Sequence, residues 1–376
     1  MEHARIVELV ARTVEAARRG EAPLGDRQGS IPVAHYTSPE RLARERAALF
    51  ARLPIPLAAA RELDEPGRVL VRALDGVPLL LTRGADGVVR AMRNACRHRA
   101  TRLADADCRA KALVCPYHGW TYSLAGELLH VPRAEAFPDC DRAALGLAQV
   151  RAEERHGLIW VALDGAAPDA RAHLGELDGE LGALGLGDHV VARRATSEQR
   201  GNWKLLIEAF LEGYHIRTLH RDTIYPFFVD ACGIAERAGV HMRHASARRT
   251  ALDPAGAGRP ARELATYAYV IFPCTVLIVH PDWISHVVVQ PLAPDRFSWT
   301  HAQLVPAAAS SEAERAHFER SFALIEEQVF QREDLRAIAA MDAGHAACAD
   351  GRVRFGLLES AALWLHDAIE RALAPG

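Results

Sequence analysis

A chain of 376 residues exceeds what one hydrophobic core usually supports, so two domains are the expectation. With 49% apolar and 25% charged residues it has the composition of an ordinary globular protein, and a net charge of -3 offers no basic face to nucleic acid or anionic lipid. The longest apolar stretches, such as Leu158 to Leu163 and Val270 to Val279, fall well short of the roughly 18 residues that span a bilayer, and Met1 to Arg5 leads into a mixed-charge amphipathic segment rather than a signal sequence, so a cytoplasmic protein with no membrane or nucleic-acid partner is expected.

In the first 50 residues, Ile6, Val7, Val10 and Val14 recur at helical spacing. Ser38-Pro39-Glu40 opens a second helix through Phe50, with proline in its first turn. These helices are expected to pack on the domain that closes the chain. From Pro54 the text turns to short β runs bounded by turn residues: Val69 to Ala73, Pro78 to Thr82, Val88 to Arg93 and Leu158 to Leu163, with Asp75-Gly76 and Asp86-Gly87 as hairpin turns. A small all-β domain over residues 51–165 follows.

Among those strands lie two mixed-ligand loops, Cys96-Arg97-His98 and Cys115-Pro116-Tyr117-His118. Each supplies one thiolate and one imidazole, the donor set of a Rieske [2Fe-2S] cluster, in which one iron takes two Cys and the other two His. A Cys2His2 zinc site uses the same residue types, but zinc knuckles tend to pair Cys with Cys and His with His. Tyr117 stands where the second loop of a respiratory Rieske protein carries an extra Cys, so no disulfide between the loops is expected. Cys108, Cys140, Cys232, Cys274 and Cys348 read as reduced thiols.

Residues 166–376 form the second domain. Leu174, Leu177, Leu181 and Leu184 predict a short amphipathic helix, with a glycine-rich flexible linker as the alternative. A strand at His189 to Gln199 and a helix at Trp203 to His220 come next. Strands follow at Leu264 to Phe272, Thr275 to His280, Ile284 to Gln290 and Arg296 to Val305, and helices at Ser311 to Met341 and Leu357 to Leu373; Asp253 to Pro260 reads as a low-complexity loop. This order predicts an α+β fold, an antiparallel sheet curved around a helix. Within the first helix, His215 and His220 are five residues apart and do not share a regular helical face. They converge on one metal only if the helix is irregular or ends between them; the alternative is two polar histidines near a helix end.

Asn94 to Ala100 and Cys115 to Tyr122 closely resemble the cluster loops of Rieske non-haem iron oxygenases. The resemblance continues through Asn202-Trp203-Lys204, the segment Glu208 to His220, and Glu333-Asp334. It implies the oxygenase (alpha) subunit: an all-β Rieske domain holding the cluster at Cys96, His98, Cys115 and His118, and a helix-grip (START-like) catalytic domain holding a mononuclear Fe(II) at His215 and His220. The family's third ligand is an Asp, here Asp334, with Glu333 as the other choice. Helical periodicity puts Phe330, Asp334, Ile338 and Met341 on one stripe. By the same resemblance Glu212 links His215 to the cluster residue His118 of a neighbouring subunit in a homotrimer.

The implied reaction takes O2 and electrons from NAD(P)H through a separate flavin/iron-sulfur reductase or ferredoxin. Neither a strand-borne Gly-x-Gly-x-x-Gly nor a Cys-x4-Cys-x2-Cys run is present in this chain to do that work. Glu at 212, in place of the commoner Asp, resembles the branch acting on choline, glycine betaine and carnitine, although Ala209, Gly213 and Ile216 depart from its pattern. Phe210, Tyr214, Tyr225, Phe227, Phe228, Tyr267, Tyr269, Phe272 and Trp283 are candidates for an aromatic cage around a methylated ammonium, with Asp282 and His286 as polar pocket groups. An apolar aromatic substrate of a ring-hydroxylating dioxygenase would use many of the same side chains. From another class, the rival is a non-catalytic Rieske electron carrier or a ligand-binding module.

Overall fold

The computed structural model describes residues 2–139, 141–254, 258–309 and 311–374. Cys140 and part of the loop at 253–260 thus lie outside the described residues. Two compact units emerge, Phe50–His173 and a larger one made of Met1–Leu49 with Leu174–Gly376.

The larger unit begins with α1 (Ala4–Arg19), which buries Ile6, Leu9, Val10 and Val14. Val7 is 44% exposed, so the buried stripe passes through Leu9 and not through Val7 as expected. Gly20, at φ +67°, ends the helix in the left-handed conformation that glycine adopts without a Cβ penalty. After β1 (Gly29–Pro32) and α2 (Ala34–Thr37), Ser38 caps α3 (Pro39–Glu45) by accepting from the Arg41 N–H, and the chain widens into a π-helical segment, Arg46–Phe50.

The smaller unit contains β2 (Ile55–Ala59), β3 (Arg68–Leu74), β4 (Val77–Arg83), β5 (Val89–Arg93), β6 (Cys108–Arg109), β7 (Leu113–Val114), β8 (Thr121–Tyr122), β9 (Leu128–His130), β10 (Gln149–Arg155) and β11 (Leu158–Ala162). One antiparallel sheet runs β2-β11-β10-β5-β4-β3-β6 and a second β7-β8-β9. Asp75 (φ +51°) and Gly76 (φ +77°) form the two-residue turn joining β3 to β4, as a right-twisted hairpin requires. Strands β2 and β10 were not expected. The core joins Val69, Leu80, Met92, Trp120 and Tyr122 to Cys96 and Cys115, which places both thiols inside it.

Past residue 168, α4 (Ala170–Leu174), a 3-10 turn and α5 (Asp178–Ala183) bury Leu174, Leu177 and Leu181, so the segment is helical and not a flexible linker. The larger unit then lays down β12 (His189–Arg200), α6 (Trp203–Ala209), α7 (Ile216–Leu219), β13 (Phe228–Ala238), β14 (His241–Arg248), α8 (Ala261–Leu264), β15 (Ala265–Ile271), β16 (Thr275–Val279), β17 (Ile284–Ala293) and β18 (Arg296–Pro306). Its antiparallel sheet has the order β12-β18-β17-β16-β15-β14-β13, a meander closed on one side by β12. α9 (Glu312–Phe322), a π-helical stretch Ala323–Asp334 and α10 (Leu335–His345) follow in unbroken succession, and β19 (Arg352–Phe355), paired with β1, leads to α11 (Ser360–Leu373). Among the described residues no helix is long and apolar enough to cross a membrane.

Three expectations for this unit need correction. The helix over Trp203 to His220 is broken into α6 and α7. Met341 is 50% exposed and leaves the stripe of Phe330, Asp334 and Ile338; in the regular α10 the buried face runs from Leu335 and Ile338 to His345. Strands β13 and β14 were overlooked because Glu236, His241, Arg243 and His244 interrupt the apolar pattern, although Arg243 is buried against Glu180 and Glu236. The start of α6 is anchored by ion pairing. Lys204 Nζ lies 2.8 Å from Glu45, which is wholly buried and also takes hydrogen bonds from Arg41 (2.9 Å) and Trp203 (3.2 Å). Removing one partner from such a network costs about 3–5 kcal/mol, because the remaining charge stays buried.

Candidate metal centres and substrate cavity

In the smaller unit the two ligand loops share one geometry. The Cys96 N–H donates to Thr101 O (2.9 Å) and Ala100 N–H to Cys96 O (2.9 Å); likewise Cys115 N–H donates to Trp120 O (2.8 Å) and Gly119 N–H to Cys115 O (2.9 Å). Ala100 (φ +59°) and Gly119 (φ +76°) take the left-handed turn at the fourth position after each Cys. Two such loops turn a buried sulfur inward and leave the imidazoles toward the surface: Cys96 and Cys115 are 3% exposed, His98 is half-buried and His118 exposed. The His98 and His118 rings lie 4.7 Å apart, and His98 stacks on Trp120 at 5.0 Å. Burial, and then the nearby His118 and Arg99, hold His98 below the usual imidazole range, which favours the neutral form a metal needs.

This donor set, two enclosed thiols and two imidazoles with open edges, fits a Rieske cluster. Tyr122 supports it. Its hydroxyl accepts from the Arg97 N–H (2.9 Å) and so turns its own proton toward Cys96 Sγ, 3.3 Å away. Burial, then the hydrogen bond to Cys96, raises the Tyr122 pKa and keeps that proton in place. The described cysteines are free thiols, and no disulfide joins the loops.

His215, His220 and Asp334 come together because α6 stops. Phe210 caps it, the chain turns, and His215 starts α7 with its carbonyl accepting from the Leu219 N–H (2.8 Å). Glu212 fixes this restart: one carboxylate oxygen accepts from the Tyr214 and His215 N–H groups, and the other binds His215 Nδ1. The two imidazoles then lie 5.0 Å apart at 73°. Asp334 Oδ1, at the end of the π-helical stretch, is 3.2 Å from His220 Nε2 and 4.0 Å from His215 Nε2. One ligand atom from each of His215, His220 and Asp334 falls within 4.8 Å of the others.

Glu333 is elsewhere: its Oε2 binds His220 Nδ1 and the Thr223 hydroxyl, each at 2.7 Å. Both imidazoles therefore have Nδ1 held by a carboxylate and Nε2 left for a shared ligand. This 2-His-1-carboxylate arrangement fits Fe(II) and leaves room on the metal for other ligands. Burial opposes protonation of His215 and His220, and the flanking carboxylates outweigh it, so both pKa values rise.

Beside these residues the larger unit encloses a cavity of about 440 Å³, within the range of small-molecule sites. Phe210, Phe227, Phe228, Tyr267 and Trp283 line it, as does Asp282. Tyr214, Tyr225, Tyr269, Phe272 and His286 do not; Tyr214 is 60% exposed and His286 sits inside the sheet on β17. The sequence reading missed His244, Arg248 and His280, all cavity residues, while Phe330, expected on the stripe of Asp334, also lines the cavity. The alternation His244, Ser246, Arg248 on β14 was the one available signal, since residues two apart on a strand share a face. Burial pushes His244 down to about 4 and His280 to about 3, so both are neutral near pH 7.

Comparison with known families finds a Rieske [2Fe-2S] domain over residues 54–148 and a ring hydroxylating alpha subunit (catalytic domain) over 186–374. The carnitine monooxygenase oxygenase subunit of Escherichia coli K12 is 28% identical over 322 residues, 84% of each chain. A glycine betaine monooxygenase oxygenase subunit from Chromohalobacter salexigens is 33% identical over 213 residues, 56% of this chain and 48% of the relative. The solved quaternary ammonium Rieske monooxygenase CntA, bound to an inhibitor, is similar in fold, with a TM-score of 0.79 at 21% identity over 92% of this chain and 95% of that one.

Proposed function

We propose a substrate class and an electron path from this premise: the chain belongs to the ring-hydroxylating alpha-subunit family and is the oxygenase component of a Rieske non-haem iron system. In this reading Cys96, His98, Cys115 and His118 hold the cluster, and His215, His220 and Asp334 hold the iron. What the two groups supply when bound is single-electron transfer and activation of O2 for hydroxylation or oxidative demethylation. A separate reductase feeds the electrons. NAD(P)H through a flavin/iron-sulfur reductase or ferredoxin, in the cytoplasm, is the source we propose.

The chain's own side chains do the positioning. Glu212 and Glu333 keep His215 and His220 in the tautomer that offers Nε2. Glu212 also forms the link from His215 to His118 of a neighbouring subunit, in a homotrimer. The apolar cavity wall keeps water from the reacting centre and orients the substrate.

For the substrate we take a small quaternary ammonium compound. The similarity to carnitine and glycine betaine oxygenase subunits supports this, as do the aromatic faces of Phe210, Tyr267 and Trp283 around the cavity. The observation carrying the whole reading is the convergence of the two Nε2 atoms and the Asp334 carboxylate beside that cavity. An aromatic substrate for ring hydroxylation is the second reading, favoured by the same apolar lining. A non-catalytic carrier or binding module drops out with the family assignment. The test is NAD(P)H oxidation with a matching reductase across ammonium and aromatic panels, with product analysis. Hydroxylated or demethylated ammonium product supports the proposal; product from the aromatic panel alone defeats it.

A further inference from the structure

Three carboxylates line the cavity, and each already has a histidine: Glu212 with His215, Asp334 with His220, and Asp282 with His317 at 2.5 Å. Among the described lining residues the cavity has one guanidinium or ammonium group, that of Arg248; the charge of Asp282 acts on it, but Asp282 is bonded to His317 and makes no ion pair with it. Among the described residues, its side chain makes one hydrogen bond, from Nη1 to Thr266 Oγ1 at 3.0 Å, and no ion pair. A guanidinium carries five N–H donors in a planar fork that matches a carboxylate, so most of its capacity is left over. Burial also lowers its pKa from the ordinary arginine value, the signature of a cation short of solvent.

Two further observations bear on what completes it. The Arg248 guanidinium lies over the rings of Phe227 and Phe228, 5.9 and 5.7 Å from their centroids. Those faces are therefore occupied by the protein's own cation, which removes them from any cage for a ligand ammonium and repels a second positive charge nearby. Arg248 is placed relative to the iron ligands by its own strand. His244, whose charge environment includes Glu212 and His215, is on the same strand four residues earlier and also faces the cavity. Four residues of strand span about 13 Å between backbones. A molecule with its oxidised carbon at the iron ligands can thus extend toward Arg248 with its other end.

We infer that Arg248 is a specificity-determining residue that receives a carboxylate of the substrate, so that the molecule oxidised is a zwitterion or an anion and not a simple cation. The inference rests on the cavity being the substrate site of the oxygenase. It does not depend on the other end of the substrate being an ammonium group. The carboxylate accepts from the free N–H groups of Arg248 while Phe227 and Phe228 hold the guanidinium plane.

Calorimetric titration of the cluster- and iron-loaded protein without O2 tests this with two pairs of probes, each differing in the carboxylate: glycine betaine against choline, and benzoate against benzyl alcohol. The expected result is tighter binding of the carboxylate in at least one pair, a preference that Arg248→Met removes by weakening the carboxylate roughly 10- to 100-fold while the alcohol changes less than about twofold. Arg248→Lys, which keeps the charge but not the fork, restores part of the preference. A preference confined to the benzoate pair upholds the role of Arg248 and counts against the ammonium substrate. Equal binding within both pairs, absence of carboxylate binding, or equal weakening of both members in Arg248→Met overturns the inference. Unchanged cluster absorbance and iron content in the variants show that the fold is intact.

Discussion

Glu333 Oε2 stands 2.7 Å from Nδ1 of His220, on the ring edge opposite Nε2, which faces Asp334 Oδ1 at 3.2 Å. Two carboxylates adjacent in sequence thus divide the work around one imidazole. Glu333 holds Nδ1, and Asp334 faces Nε2, the nitrogen proposed to bind iron. The π-helical segment ending at Asp334 makes this possible, because its wide turns bring neighbouring side chains to one wall of the site.

Glu333→Ala is expected to weaken iron binding roughly 10- to 100-fold, since the group orienting a ligand histidine is lost while all three ligands remain. Competition with a chelator measures it. Cluster absorbance should not change, because the cluster loops belong to the other unit. Iron affinity equal to wild type would show that Glu333 does not orient His220.

Glu212→Gln probes the electron path. Glutamine preserves size but loses the charge that holds His215 Nδ1. Cluster content is expected to stay at the wild-type level, while reoxidation of the prereduced cluster in the presence of substrate and O2 slows at least about tenfold in protein that retains iron. A wild-type reoxidation rate would rule out Glu212 as the bridge.

Tyr122→Phe removes the hydroxyl facing Cys96 Sγ while keeping the ring in the core. A hydrogen bond to a cluster sulfur favours the reduced state, so the midpoint potential should fall, on the order of tens of millivolts. Protein-film voltammetry reads it directly. An unchanged or higher potential would contradict the assigned direction of the hydrogen bond.

His280 carries a pH prediction. Burial lowers its pKa to about 3, whereas an unfolded histidine titrates near 6.5. Between those values the unfolded chain binds the extra proton, so stability declines as pH falls from about 6.5 toward 3. His280→Gln cannot titrate and can still hydrogen-bond the Ser285 hydroxyl that His280 meets at 3.1 Å. Urea unfolding free energies at pH 7 and 4.5 should show a smaller acid loss in the variant, by about 2–3 kcal/mol; parallel losses would show that His280 is not protected.

The cluster loops were readable in the sequence because each is self-contained, with its Cys, His and turn residue within five positions. The convergence of His215, His220 and Asp334 was only half readable. Asp334 lies more than a hundred residues beyond the two histidines, and the break after Ala209 leaves no mark, since Phe210 and Leu211 continue the apolar pattern of α6. Strands β13 and β14 were hidden for another reason: buried charges such as Arg243 are neutralised by Glu180 and Glu236, partners that only the folded chain supplies. The role of Arg248 was invisible for the opposite reason, as it depends on the absence of a partner among the described residues.

Iron stoichiometry tests the central claim most directly. Protein carrying Asp334→Ala, prepared beside wild type, should lose the one iron per chain beyond the cluster and keep the full cluster absorbance and electron paramagnetic resonance signal. Retention of that iron at the wild-type level would contradict the assignment of His215, His220 and Asp334 as the metal centre.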